Sequence, residues 1–312
     1  MTHCWIVTEG MAGTENQCLG VAEYLGMTPV IKRIGLRQPW KSLSPFLGFE
    51  YACTFTGDAL EPPWPDLVLA SGRKAIAAAR YIKKASGGKS FTVLIQDPRV
   101  SPGQFDLVAV PAHDPARGEN VIVTMAAPNR ITTQKLAEAR TAFSGTLSPL
   151  PTPRIAVLIG GNSKAYQMTD AITEDLATHL MALAEQGYGI MVTASRRTGE
   201  ENEKILKKTL THKNIYYWDG TGDNPYFGFL GWADFILVTA DSVSMLSEAA
   251  TTGKPVYMIP LEGGTKRFDL FHENLIGHGI IRKFEGTLTA YDYPKLDDAN
   301  LIAQEIKKRL YP

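Results

Sequence analysis

Apolar positions along the chain come in short unbroken runs. Each run is followed by a glycine- or serine-bearing loop and then by a stretch with helical spacing. His3–Thr8, Asp66–Ala70 (DLVLA), Ser90–Gln96 (SFTVLIQ), Arg154–Ile159 (RIAVLI), Gly189–Ala194, Phe235–Thr239 (FILVT) and Pro255–Ile259 (PVYMI) are runs of this kind. A strand covered on both faces has no polar side to alternate with, so continuous runs predict parallel strands between helical layers. Further strands are expected at Pro29–Ile34, Asp106–Val110, Val121–Met125 and Asn214–Trp218. Helices are expected at Glu15–Leu25, Lys74–Lys84, Thr169–Gln186, Glu200–Leu210, in a stretch ending at Gly231, at Ser242–Thr251 and at Ala299–Leu310. Thr14 with Gln17 three residues later reads as a capping box for the first of them.

This grammar occurs twice. Gly145–Pro153 (GTLSPLPTP) has three prolines in nine positions and reads as a linker. The expected fold is therefore α/β, with two Rossmann-like, doubly wound parallel-sheet domains at 1–148 and 149–298. The terminal helix, within 299–312, is expected to return to the first domain. Right-handed crossovers bring the strand-to-helix loops of each sheet to one edge, where ligands bind. Two such edges facing each other would make a cleft.

Composition narrows the class. The chain has 312 residues, 44% hydrophobic and 21% charged, as a folded globular protein does. Its 32 Lys and Arg balance 32 Asp and Glu, which argues against a nucleic-acid partner held by a broad basic surface. Cys4, Cys18 and Cys53 form neither a disulfide framework nor a zinc pattern and read as buried free thiols. No run reaches the ~20 apolar residues of a membrane span, and the N-terminus lacks a basic leader. The expected location is the cytoplasm. In the segment 36–55, Trp40, Phe46, Leu47 and Phe49 lie among Arg37 and Lys41, which reads either as a satellite core cluster or partner surface, the commoner reading, or as a peripheral contact on the inner face of the cell membrane.

Candidate chemistry clusters at loops that end strands. After FILVT, Thr239, Ala240, Asp241 and Ser242 turn into a helix whose free amides and positive dipole end suit a phosphate. Glu248, on the second turn, can accept from a ribose diol. Gly160, Gly161, Asn162 and Ser163 end another strand. They either line a phosphate site or simply make a tight turn. In Ser195-Arg196-Arg197, one arginine suits phosphate oxygens, with Arg196 preferred. Lys266 and Arg267 follow the last strong strand. In the first half, Gly13, Thr14, Ser71, Gly72, Arg73, Asp97 and Arg99 sit on loops that could shape an acceptor site. Glu9 and Glu15 are the carboxylates placed to act as a base, although a first-turn glutamate also stabilises its own helix.

The stretch TADSVSMLSEAATTGKPVY resembles the nucleotide-sugar segment of GT-B glycosyltransferases such as the peptidoglycan lipid-intermediate N-acetylglucosaminyltransferase. Glu248, Gly253 and Pro255 keep that family's spacing of glutamate, glycine and proline. The resemblance implies ribose binding by Glu248 and phosphate contacts by Ser242 and Ser244; Asp241 stands where that enzyme has a serine. QCLGVAEYL resembles its first helix, with Thr14 at the position of a loop histidine. Over TEGMAGTENQ, SGRKA, IQDPR, GGNSK and TASRRTG as well, the chain resembles a bacterial group of glycosyltransferases that shares its sequence with a plant mitochondrial-fission factor. This implies transfer of a sugar from a nucleoside diphosphate to a cell-envelope saccharide, such as that of lipopolysaccharide, or to a lipid-linked acceptor. No cofactor is implied. No Asp-x-Asp metal motif stands in a suitable loop, so helix ends and arginines would hold the phosphates.

Two other functions stay open. A non-catalytic scaffold with the same fold is favoured by the missing loop histidine and disfavoured by the retained Glu248 segment. An NAD-dependent nucleotide-sugar epimerase requires G-x-G-x-x-G with an acid about 20 residues on, and neither half has that pattern.

Overall fold

A computed structural model describes residues 3–310. The chain divides into two compact units, Met1–Arg130 with Asp297–Pro312, and Ile131–Leu296.

The first unit contains β1 (Cys4–Thr8), α1 (Ala12–Tyr24), β2 (Val30–Leu36), α2 (Trp40–Leu43), β3 (Phe55–Gly57), β4 (Leu67–Ala70), α3 (Ala75–Ala85), β5 (Phe91–Ile95), β6 (Leu107–Pro111) and β7 (Val121–Thr124). Its sheet runs β3-β2-β1-β4-β5-β6-β7, parallel except for β3, which pairs antiparallel with β2. The unbroken apolar runs are explained by burial on both faces. Along β1, Trp5 and Val7 pack toward α3, while Cys4 and Ile6 pack toward α1 and the C-terminal helix. Gly20 lets α1 approach the chain after β7, where a Cβ would lie 2.1 Å from the Asn129 carbonyl oxygen.

The second unit contains α4 (Thr133–Ala142), α5 (Ser144–Leu147), β8 (Arg154–Ile159), β9 (Tyr166–Gln167), α6 (Asp170–Glu185), β10 (Gly189–Ala194), α7 (Glu200–Thr209), β11 (Ile215–Trp218), α8 (Tyr226–Trp232), β12 (Phe235–Thr239), α9 (Val243–Thr251), β13 (Val256–Ile259), β14 (Glu262–Gly263), α10 (Lys266–Gly277) and β15 (Ile281–Lys283). Six parallel strands run β11-β10-β8-β12-β13-β15, and β9 pairs with β14 as a separate antiparallel ribbon. The last helix, α11 (Asp298–Leu310), belongs to the first unit. Its Ile302 and Ile306 are fully buried, and Asp298 accepts the Met125 and Ala126 amides at 3.0 and 2.9 Å.

The structure differs from expectation in several places. The division falls at Arg130/Ile131 rather than in the proline-rich stretch. There Leu147 and Leu150 are buried, Pro151 abuts Gly189, and Arg154 donates to the Ser148 and Leu150 carbonyls at 3.0 and 2.7 Å. α4 joins the second unit by packing on α8, where the Trp232 indole donates to the Arg140 carbonyl at 2.8 Å. The capping box does not form. α1 begins at Ala12 after Met11 without a side-chain cap, and Gln17 instead accepts from the Ser71 hydroxyl at 2.9 Å. Finally, Cys4 and Cys18 are buried but Cys53 is exposed.

Candidate functional site

In each sheet the first strand lies between two parallel neighbours, β1 between β2 and β4 and β8 between β10 and β12, which creates a topological switch point at the strand C-termini. In the second unit it lies between β8 and β12, and the loops after β8, β10 and β12 meet there. The Gly160 amide donates to Thr239 Oγ1 at 2.7 Å, and its carbonyl accepts from Ser195 Oγ at 2.6 Å and Thr198 Oγ1 at 2.8 Å. Gly161 has φ +124°, and a Cβ there would lie 2.4 Å from the Arg197 carbonyl oxygen, which accepts from the Asn162 amide at 2.8 Å. Only glycine tolerates this backbone and this approach. Asn162 Oδ1 accepts the Met168 amide at 2.8 Å, and Ser163 Oγ accepts the Ala165 and Tyr166 amides at 3.1 and 3.0 Å. The Gly160–Ser163 side chains and backbone therefore build a rigid turn.

Asp241 is buried beside this turn. A Cβ on Gly160 would lie 2.4 Å from each of its carboxylate oxygens, so the glycine makes the room the carboxylate occupies. Arg197 Nη2 stands 2.8 Å from Oδ2. The contact is an ion pair rather than an aligned hydrogen bond, and Oδ1 has no partner among the described residues. Arg196, the arginine preferred on sequence, is exposed, and among the described residues it makes no hydrogen bond or ion pair. Ser242 is the N-cap of α9, its hydroxyl accepting from the Met245 amide at 3.3 Å. Ser244 follows in the first turn, half-buried.

Glu248, on the next turn of α9, accepts a short hydrogen bond from the Tyr226 hydroxyl of α8. Burial pushes its carboxyl up to about 7, and the Tyr226 bond partly opposes that rise. Burial, together with the Glu248 carboxylate, pushes the Tyr226 phenol well up. At neutral pH Glu248 is thus poised between acceptor and donor. Tyr226 lies 22 residues upstream, and no local pattern marks it. Lys254, also not singled out by sequence, caps α8 by donating to the Leu230 and Gly231 carbonyls at 2.6 and 3.0 Å, and burial pulls its ammonium down to about 8.

Lys266 and Arg267 are exposed on the first turn of α10, which the sequence read as loop. Beneath that helix, a pocket of about 520 Å³ is lined by Tyr166, Ala240, Met258, Asp269 and His272. A larger, open groove of about 830 Å³ follows the N-termini of α6 and α7, past Asn162, Ser163, Gly199 and Glu200. It is not at α9, and the acidic first turns of both helices offset their dipoles there. Among the described residues no cluster of three or more His, Cys, Asp or Glu is arranged to hold a metal ion.

In the first unit, β1 and β4 flank the corresponding switch point. Glu9 accepts the Lys74 amide at 2.8 Å and pairs with its ammonium at 3.0 Å. Glu15 pairs in two-pronged fashion with Arg33, at 3.0 and 2.8 Å. Both candidate bases are thus engaged in ion pairs. Thr14 Oγ1 donates to the Met11 carbonyl at 2.9 Å, with Gly13 half-buried beside it. The Ser71 hydroxyl bonds across to Gln17, and the Gly72 amide, at φ +109°, donates to Gln96 Oε1 at 2.8 Å. The Arg73 guanidinium donates to the Ser44 and Lys41 carbonyls, both at 3.2 Å. Asp97 accepts the Arg99 amide at 3.1 Å, closing a turn in which exposed Arg99 has φ +56°.

Arg73 and Arg80 tie down the segment 36–55 from inside. Arg80 bonds to the Leu47 carbonyl at 3.1 Å and pairs with buried Glu50. The segment turns Leu43, Phe46, Phe49 and Tyr51 outward, with Phe46 72% and Phe49 75% exposed. No described helix is long and apolar enough to cross a membrane.

Two Rossmann-like units with this strand order define the GT-B type of fold, and solved structures share it. One is MurG of Acinetobacter baumannii, with a TM-score of 0.52 at 14% identity, covering 100% of this chain and 91% of that one. Another is the Methanocaldococcus jannaschii UDP-GlcNAc 2-epimerase in complex with UDP-GlcNAc and UDP, with a TM-score of 0.55 at 12% identity, covering 99% and 100%. At such identities the likeness shows the fold alone. The chain belongs to the Mitochondrial fission ELM1 family, which it matches over residues 12–310. It is 30% identical over 286 residues to the mitochondrial fission protein ELM1 of Arabidopsis thaliana, over 80% of this chain and 65% of that protein's length.

Proposed function

We propose that the second unit binds a nucleoside-diphosphate sugar at the β8/β12 switch point and that the chain transfers its sugar without a metal. The acceptor is a cell-envelope saccharide or lipid-linked acceptor. The observation that carries this reading is the placement of Glu248 one turn beyond the capped start of α9, with Arg197 beside that start. Helix amides and an arginine suit a diphosphate, and the carboxylate suits the ribose diol. Thr239 and the Gly160–Ser163 turn hold these loops in register, and Ser244 adds a hydroxyl at the helix start. Lys266 and Arg267 stand on the neighbouring loop edge for the sugar. Gly13, Thr14, Ser71, Gly72, Arg73, Asp97 and Arg99 belong to the loop edge of the first unit that would receive the acceptor. The MurG and epimerase structures support the fold of this reading.

A second reading, a scaffold that binds without turning over, is favoured by one observation. Glu9 and Glu15, the carboxylates placed to act as a base, are both paired with cations. The exposed aromatics of 43–51, flanked by Arg37 and Lys41, suit peripheral contact with an anionic membrane under either reading.

A thermal-shift screen with UDP, GDP, CDP, CMP and NAD on the wild type and on Glu248→Ala tests the choice. A ligand that binds only the folded chain raises its midpoint. A rise with one nucleoside phosphate, lost in the variant, supports the donor site. No response to any of them moves the case to a scaffold, and a response to NAD alone overturns the transferase reading.

A further inference from the structure

Arg197 and Asp241 come from different loops of the second unit, after β10 and after β12, and meet at 2.8 Å. The two ends of the pair are in different surroundings. The Asp241 side chain is 0% exposed and the Arg197 side chain 44% exposed. Asp241 is held against Gly160, and among the described residues its Oδ1 has no partner. The backbone of Arg197 is fixed as well: its amide donates to Ser195 Oγ at 3.1 Å and its carbonyl accepts from Asn162 at 2.8 Å. Its guanidinium makes no other hydrogen bond or ion pair among the described residues. Asp241 directly precedes the N-cap Ser242, so the guanidinium stands at the start of α9.

A lone buried carboxylate beside that helix start would repel a phosphate and be costly to desolvate. An unanchored arginine would lose rotamer entropy on binding one. The pair removes both penalties. A guanidinium carries five N–H donors in a fixed plane, and contact through Nη2 leaves the others for a second anion.

We propose that Arg197 clamps the diphosphate of the nucleotide ligand and that Asp241 is the positioning residue that holds the guanidinium in place to do so. This rests on the nucleotide-binding reading above. The pair also explains why Gly160 carries no side chain, because any Cβ would displace the carboxylate that orients the clamp. Arg196, adjacent in sequence but without an anchoring contact among the described residues, is not assigned this role.

The test is calorimetric titration of the full chain with UDP and with uridine, and likewise GDP with guanosine and CDP with cytidine. The variants are Arg197→Ala, Arg197→Lys, Asp241→Asn and the Arg197→Ala/Asp241→Asn double, each checked for its melting midpoint. The clamp predicts that the diphosphate binds more tightly than its nucleoside. Arg197→Ala lowers that advantage about tenfold or more while leaving nucleoside affinity unchanged. Asp241→Asn lowers it too, Arg197→Lys retains part of it, and the double variant is no worse than Arg197→Ala. An advantage untouched by Arg197→Ala, or nucleoside and diphosphate affinities falling together, overturns the clamp while leaving nucleotide binding intact. If the wild type binds none of the pairs, the nucleotide reading fails and the clamp fails with it.

Discussion

The hydroxyl of Tyr226 in α8 donates to the carboxylate of Glu248 in α9, joining the helices on either side of β12. Burial pushes the Glu248 carboxyl from 4.5 up to about 7. Between those values the folded chain keeps a proton that the unfolded chain has released. Stability therefore falls as pH rises through this window and stays lower above it. Glu248→Gln removes the ionisation and keeps an acceptor for Tyr226. It should be more stable than the wild type by roughly 1–3 kcal/mol at pH 8 and nearly equal to it at pH 4.5. Denaturant titrations at both pH values check this. A difference that does not change with pH contradicts it.

On the proposed reading, the same group sets the pH dependence of nucleotide binding. A ribose diol donates best to the ionised carboxylate, so nucleotide affinity should rise with pH through about 7. The Tyr226 bond holds the carboxyl lower than burial alone would, so Tyr226→Phe should move the midpoint of that profile to higher pH. Binding isotherms across the pH range read this midpoint. A midpoint unmoved in Tyr226→Phe counts against the coupling.

How much of this was legible in the sequence depended on whether the cause was local. β10 and β12 have the bounds expected from GIMVTA and FILVT, because strands buried on both faces announce themselves as unbroken apolar runs. α10 did not announce itself. Gly263 and Gly264 suggested a loop, although Phe271, His272 and Leu275 carry helical spacing. The Thr14–Gln17 box failed because α1 starts at Ala12, which puts Thr14 inside the first turn, and Gln17 accepts instead from Ser71, 54 residues away. Which of two adjacent arginines pairs with Asp241 is set by the loop backbone around Gly161 and by Asp241 itself, neither of them visible from the dipeptide. Tyr226 as the partner of Glu248 is likewise a long-range fact.

Gly160→Ala should destabilise the second unit by roughly 1–3 kcal/mol, because its Cβ has no room beside the Asp241 carboxylate. Asp241→Ala in the same chain removes the obstacle, so the double variant should be more stable than the two single losses add up to. Chemical denaturation of the four chains measures the coupling. Strict additivity would show that the contact does not limit this position.

Phe49 is exposed with φ +62°, a backbone that a bulky residue holds only under strain. Phe49→Asn relieves that strain and should raise stability by roughly 0.5–1 kcal/mol. If the patch contacts lipid, the same variant, and Phe46→Ser, should weaken retention on phosphatidylglycerol-containing vesicles. Co-sedimentation beside a melting curve separates the two effects. Unchanged retention removes the membrane role from this segment.

The most direct measurement is titration of the wild type and of Glu248→Ala with UDP, or with whichever diphosphate shifts the midpoint most, and with its 2′,3′-dideoxy form. If Glu248 holds the ribose, the wild type should prefer the ribonucleotide by about tenfold or more, and Glu248→Ala should bind both forms alike. Equal affinity for the two forms in the wild type would contradict a ribose site at α9.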